Sequence, residues 1–96
     1  MGKALAAAIG FASIVAAAVA SAEPPAGAAA CSGCHPASAR VASPVSRLLG
    51  LDRAAIVRAM QDFRSGARAA TVMDRIAKGF TEAEVQAIAA WYATQR

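Results

Sequence analysis

Residues 31 to 35 read CSGCH, and this stretch decides the fold because it fixes what the rest of the chain has to surround. Two thiols at this spacing add across the two vinyl groups of one haem, and a histidine directly after the second thiol ligates the iron from one face. The pattern therefore predicts one covalent haem c, with Cys31 and Cys34 as its thioethers and His35 as an axial iron ligand.

Two other chemistries also use a C-x-x-C pair. A structural zinc ion needs four ligands, whereas the chain has two cysteines and one histidine, so zinc would require a carboxylate or a second subunit. A redox dithiol or disulfide normally lies at the start of a helix in a βαβ unit, and no stretch here alternates as a strand does. Both remain alternatives, although the histidine at position 35 fits only the haem interpretation.

The N-terminus predicts export. Lys3 provides a positive start, residues 4 to 19 are almost entirely apolar, and Ala20-Ser21-Ala22 matches an A-x-A cleavage site. We expect a signal peptide over 1–22 and a mature domain over 23–96 in the periplasm, the compartment in which bacterial haem is joined to such motifs. The alternative is an uncleaved anchor, because the apolar run approaches the length that spans a bilayer.

Loss of Lys3 with the signal peptide lowers the formal charge of the chain from +4 to +3. That charge is too mild to indicate nucleic-acid binding, and nothing in the mature part predicts a membrane span. A domain of this length has room for one core and is marginal without a covalent or metal staple. A bound haem would supply that staple.

Helix signals and no strand signals follow along the mature chain. Residues 25–34 predict a short first helix delayed by two prolines, and 36–50 predict a loop. Asp52 is a good N-cap for a second helix that ends at Ser65-Gly66. A short helix is predicted over Val72 to Lys78 with Gly79 as its stop, and Thr81 with Glu84 forms a capping box for the last helix.

The apolar faces of the two longer helices predict the core. In the second helix, Ile56, Met60 and Phe63 recur at helical spacing. In the last helix the predicted buried residues are Val85, Ile88, Ala89 and Tyr92, with Trp91 beside them.

The second axial ligand of the iron is predicted to be methionine, because the chain has no second histidine. Met60 lies at core spacing inside a helix, whereas Met73 follows a glycine-containing loop far enough along the chain to reach the other haem face. We expect Met73 to ligate the iron, with Met60 or an open site as the alternatives. An iron filled on both faces transfers electrons singly and leaves no site for substrate.

Together, CSGCH, RLLGL (47–51) and TVMDRIAKGFTEAEVQAIAAWYA (71–93) make the chain resemble the class I cytochromes c. Within them it is nearest to the single-haem cytochrome subunits of flavocytochrome c sulfide dehydrogenases. The resemblance implies an all-α fold in which the N- and C-terminal helices pack around one covalent haem, with Trp91 or Tyr92 at their contact. It also implies the same four haem-binding residues, Cys31, Cys34, His35 and Met73.

The chain departs from this family at two loops. Ser46 stands where relatives often carry a proline, in the carbonyl region that accepts a hydrogen bond from the second ring N–H of the proximal histidine. Ser46 still has a backbone carbonyl that can accept this bond. Ala69-Ala70 stands where relatives tend to carry proline before the distal methionine. Both loops are therefore expected to be less rigid, and the short loop after CSGCH is expected to expose one haem edge.

Two functions fit these residues. The chain is either the haem subunit of a periplasmic enzyme whose separate flavoprotein oxidises sulfide, or a free electron shuttle between respiratory complexes; an orphan carrier is a third possibility. A subunit should show an apolar patch, whereas a shuttle should show a charged rim. Five arginines are candidates for that rim, although helix arginines are more often simply solvated: 53, 58, 64, 68 and 75. The scattered carboxylates form no acid–base pair, so the chain alone is not expected to be an enzyme.

Overall fold

The computed structural model describes residues 1–2, 10 and 23–95, and all regular structure within them is helical. The four helices are α1 (Ala28–Cys31), α2 (Arg53–Ser65), α3 (Met73–Lys78) and α4 (Glu82–Thr94). This confirms the all-α prediction. The predicted signal peptide lies outside the described residues apart from positions 1, 2 and 10, so its cleavage stays a prediction. In the part that is described, no helix is both long enough and apolar enough to cross a membrane.

The two long helices begin at the predicted caps. The carboxylate of Asp52 accepts a hydrogen bond from the Ala55 N–H at 3.3 Å, at the start of α2. At the start of α4, the Thr81 hydroxyl accepts from the Glu84 N–H at 3.2 Å, and the Glu84 carboxylate accepts from the Thr81 N–H at 2.7 Å. Such caps satisfy backbone N–H groups that have no partner inside the helix. The predicted capping box is confirmed.

The predicted helix ends are confirmed at both glycines, with different geometry. Gly66 follows α2 at φ +82°, the left-handed conformation that glycine adopts without strain. Gly79 follows α3 in the right-handed region, and its N–H donates to the Ile76 carbonyl at 3.0 Å. The two residues therefore end their helices by different backbone routes.

The first helix is shorter than predicted. Residues 25–34 were expected to be helical, whereas α1 covers only Ala28–Cys31. Gly27 has φ +87°, and the Ala28 N–H donates to the Pro25 carbonyl at 3.1 Å. A left-handed glycine next to a proline turn keeps the preceding residues out of the helix, and the CSGCH turn closes it at the other end.

One small core joins α1, α2 and α4. All four residues predicted on α4 are buried, and they pack with Ala28, Ile56 and Val57. Met60 is half-buried against this core, whereas Val57 was not predicted. The Tyr92 hydroxyl donates to the Ala28 carbonyl at 2.6 Å, and the Trp91 ring meets the Tyr92 ring edge-on at 4.9 Å. This is the contact expected between the N- and C-terminal helices.

Gly27→Ala is expected to destabilise the fold more than Gly66→Ala. Both positions have positive φ, but a Cβ at Gly27 would lie 2.7 Å from the Phe80 ring, whereas one at Gly66 meets nothing within 4 Å. Backbone strain costs about 1 kcal/mol at either site, and overpacking adds about 1–3 kcal/mol at Gly27 alone. Urea unfolding of the two variants measures the difference. Equal losses would show that Phe80 moves aside at no cost.

Tyr92→Phe is expected to lower the free energy of unfolding by about 1–2 kcal/mol, because it leaves the buried Ala28 carbonyl without its hydroxyl donor. Burial, followed by the neighbouring Cys31 group, raises the pKa of Tyr92. The contribution is therefore full below the ordinary tyrosine pKa of about 10 and is lost as the pH rises through the higher folded value. Urea unfolding at neutral and alkaline pH should show this loss in the wild type and a smaller one in Tyr92→Phe. Parallel pH profiles would contradict it.

Candidate haem site

The CSGCH motif forms a tight turn at the end of α1. The Cys31 carbonyl accepts hydrogen bonds from the Cys34 N–H at 3.2 Å and from the His35 N–H at 2.9 Å. Both thiols are free; Cys31 is half-buried against the core, and Cys34 is exposed. The turn therefore gathers two thiols and an imidazole within one short segment that the core anchors on one side.

The imidazole of His35 is fixed by the loop that follows it. Its Nδ1 lies 2.5 Å from the backbone carbonyl of Ser46. A carbonyl only accepts, so Nδ1 carries a proton, and in the neutral ring the lone pair lies on Nε2. The expected carbonyl at position 46 is thus in use, and the serine does not remove this hydrogen bond. A neutral imidazole with a free Nε2 is the form that binds a metal.

The thiol of Cys31 lies in a less polar setting than that of Cys34. Burial raises the pKa of the Cys31 thiol, and its interactions with its own backbone and with the Tyr92 hydroxyl offset part of the rise. Its Sγ also lies 3.7 Å from the Gly27 carbonyl. A thiol held in its protonated form is a poor nucleophile toward disulfides, so this environment disfavours oxidation of the Cys31–Cys34 pair.

The two methionines occupy different environments. Met60 lies within α2 and packs against the core, as its spacing predicts. Met73 is the first residue of α3 and is half-buried. Both α3, which begins with Met73, and α4 pack against α2. Met73 directly follows the loop between α2 and α3, whereas Met60 lies inside α2.

The donor set and the core both fit a haem. Two free thiols, an imidazole with a fixed tautomer and a half-buried thioether are the ligands that this group uses. Within residues 23–95, no large side chain is fully buried. Leu51, Val72 and Ile76 remain 41%, 53% and 42% exposed, and two of these flank Met73. A large apolar macrocycle is the kind of group that completes such a core.

A zinc site would require further metal-ligating side chains close to the C-x-x-C pair. In the described part of the chain, no three side chains of His, Cys, Asp or Glu come together in a group able to hold a metal ion. The C-x-x-C pair and His35 are therefore not joined by a carboxylate that would extend them toward a zinc site.

Three of the five arginines considered for a charged rim make contacts within the chain. Arg53 donates to the Gln86 side chain at 2.9 Å and so bridges α2 and α4. The Arg64 guanidinium donates to the carbonyls of Ala77 and Phe80. The guanidinium of Arg68 lies 4.9 Å from the centre of the Phe63 ring. A single sequence does not predict these contacts, because an arginine on a helix is most often simply exposed to solvent.

In the comparison with known protein families, no family model matches the chain. The chain is 37% identical over 62 residues to the cytochrome subunit of sulfide dehydrogenase from Chlorobaculum tepidum. The match covers 65% of this chain and 56% of that protein, so it spans little more than half of the relative's length. The chain is thus similar to the cytochrome subunit of a sulfide dehydrogenase, which confirms the resemblance predicted from CSGCH and the segment around Met73.

Proposed function

We propose that this protein is an exported c-type cytochrome that transfers one electron at a time through a single covalent haem. The observation that carries the proposal is the CSGCH turn with its histidine already oriented: the Ser46 carbonyl holds Nδ1 and leaves Nε2 free. The similarity to a cytochrome subunit supports the same conclusion independently of that geometry.

Each haem-binding residue has a defined task in this proposal. Cys31 and Cys34 would hold the haem through one thioether each, formed by adding the S–H across a vinyl group without net oxidation. His35 would offer Nε2 to the iron, and its hydrogen bond to Ser46 would strengthen that ligand. Met73 would offer its thioether as the second iron ligand. When bound, the haem iron supplies the one-electron chemistry.

The partner proposed for this chain is the flavoprotein subunit of a sulfide dehydrogenase. Support comes from the relative, which is described as the cytochrome subunit of such an enzyme. The predicted signal peptide over 1–22 directs the 23–96 domain to the periplasm, where both subunits would meet. In this role the chain receives electrons and catalyses no reaction of its own.

A redox titration followed by absorbance distinguishes the cytochrome from the dithiol alternative. A haem carrier exchanges one electron, so the potential changes by about 59 mV for each tenfold change in the ratio of oxidised to reduced protein. A dithiol exchanges two electrons, and the corresponding change in potential is about 30 mV. We expect the one-electron slope. A two-electron slope, or a visible spectrum that does not respond to potential, would refute the proposal.

Isolation from the native periplasm distinguishes a permanent subunit from a free shuttle. A tagged chain that is a subunit should elute from a sizing column together with an equimolar polypeptide whose spectrum shows flavin. A chain that elutes alone, with haem but without flavin, would establish the shuttle and overturn the subunit assignment.

A further inference from the structure

The short helix that begins with Met73 does not hold itself in place. α3 has six residues, and its N-cap residue Val72 makes no side-chain capping hydrogen bond. Isolated helices of this length are unstable in water, because the cost of nucleation exceeds what a few hydrogen bonds return. The position of Met73 therefore depends on what fastens α3 to the rest of the protein.

Arg64, in the last turn of α2, fastens the far end of α3. Its Nη2 donates to the Ala77 carbonyl at 3.2 Å and also to the Phe80 carbonyl. Ala77 lies in the last turn of α3, where the carbonyls carry the negative pole of the helix, and its carbonyl also accepts from the Phe80 N–H at 3.5 Å. The guanidinium of Arg64 adds a charged donor to this carbonyl and to that of Phe80 just beyond the helix.

The point of attachment lies where three helices meet. Met60 and Arg64 from α2, Ala77 from α3, and Glu82 and Val85 from α4 line a small crevice at this junction. Phe80, whose carbonyl Arg64 binds, packs its ring against Gly27, directly before α1. The arginine thus ties the helix of Met73 to the same frame that carries Cys31.

The loop leading to Met73 is fastened at its start by a second arginine. The Arg68 N–H donates to the Asp62 carbonyl at 3.2 Å, and its guanidinium lies over the Phe63 ring. The following Ala69 and Ala70 provide neither a ring nor a side-chain hydrogen bond. The contacts of Arg64 and Arg68 supply rigidity in a segment where the sequence has no proline.

We infer that Arg64 is a positioning residue for the distal iron ligand: it fixes α3 so that the Met73 thioether stays on the iron. The inference rests on the proposed haem function. Without Arg64, α3 keeps its packing against α2 but loses the anchor of its C-terminal end, and an external ligand displaces Met73 more easily.

Titration of the oxidised, haem-loaded protein with imidazole tests this inference. Arg64→Met keeps the apolar stem and removes the donors, and Arg58→Met is the matched control on the exposed surface of the same helix. We expect Arg64→Met to bind imidazole about three- to tenfold more tightly than wild type, the range of one lost hydrogen bond, because only the bond to the Ala77 carbonyl lies within α3. Arg64→Lys has one compact ammonium group in place of the guanidinium, so its imidazole affinity should lie between those of wild type and Arg64→Met. Arg58→Met should match wild type.

A loss of overall stability is separated from positioning by Tyr92→Phe, which weakens the fold at α1 and α4, away from α3. That variant should unfold more easily while its imidazole affinity stays unchanged. Arg64→Met within twofold of wild type would overturn the inference and leave the cytochrome proposal standing. A wild type without the far-red sulfur-to-iron band would instead refute Met73 ligation and the inference together. If Arg64→Met does not accumulate, the imidazole affinity of Arg64→Lys is compared with that of wild type instead. Tighter binding supports the inference, and equal binding overturns it.

Discussion

Replacing both cysteines, Cys31→Ala with Cys34→Ala, is expected to abolish covalent haem completely. Each thioether is one covalent link, so a single substitution leaves one link and reduced haem content, whereas the double variant leaves none. Each variant is exported from cells that contain the haem-maturation machinery, and its covalent haem is detected by haem staining of a denaturing gel. Only covalently bound haem remains with the chain under these conditions.

The matched control for the cysteines lies inside the motif itself. Ser32 is exposed, and its hydroxyl donates to the Ala29 carbonyl at 2.7 Å, so Ser32→Ala removes a local hydrogen bond and leaves every residue proposed to bind haem unchanged. It should stain like wild type. A stained band in the double variant would show that haem is attached elsewhere, and loss of staining in Ser32→Ala would show that the turn rather than the thiols limits attachment.

The double variant is also expected to lose much of its helical circular dichroism. The described core contains only small and medium apolar residues together with Tyr92, and apolar side chains around α3 stay exposed. A domain of this size buries too little surface to be comfortably stable without a staple. Helical content that is independent of haem would show that the four helices are stable on their own.

Met73→Ala is expected to remove the far-red sulfur-to-iron band of the oxidised protein while covalent haem is retained. Loss of the thioether should also lower the reduction potential by on the order of 100 mV, within the roughly 0.8 V over which axial ligands set haem potentials. The opened iron face should then bind carbon monoxide when reduced. Absorption spectroscopy with a redox titration measures all three changes.

Met60→Leu is the control for the distal ligand. Met60 is half-buried within α2, and leucine preserves its volume, so the substitution should cost less than about 1.5 kcal/mol. The far-red band and the potential should both stay at their wild-type values. A band that disappears in Met60→Leu and survives in Met73→Ala would exchange the roles of the two methionines.

Local signals explain how much of the fold the sequence predicts. The side chains of Asp52, Thr81 and Glu84 hydrogen-bond to backbone N–H groups within three residues, so their roles are visible in a short window. The first helix was predicted too long because alanine-rich sequence favours a helix, whereas the backbone of Gly27 is left-handed. A single residue's conformation outweighed the propensity of its neighbours there.

Long-range contacts account for what the sequence does not reveal about the site. The hydrogen bond from His35 to the Ser46 carbonyl uses the backbone, so residue identity at position 46 carries little information about it. The hydrogen bond from Tyr92 to Ala28 joins two residues that lie 64 positions apart in the sequence. Arg64 likewise contacts carbonyls of α3 and of the α3–α4 junction, which no side-chain pattern marks. Only the folded chain brings these groups together.

The intact mass of the exported protein, measured under denaturing conditions, tests whether the chain carries a covalent haem. We expect a chain that begins at Glu23 and carries the added mass of one haem. The mass of the polypeptide alone, or of the polypeptide less two hydrogens for a Cys31–Cys34 disulfide, would contradict covalent haem attachment and return CSGCH to dithiol chemistry.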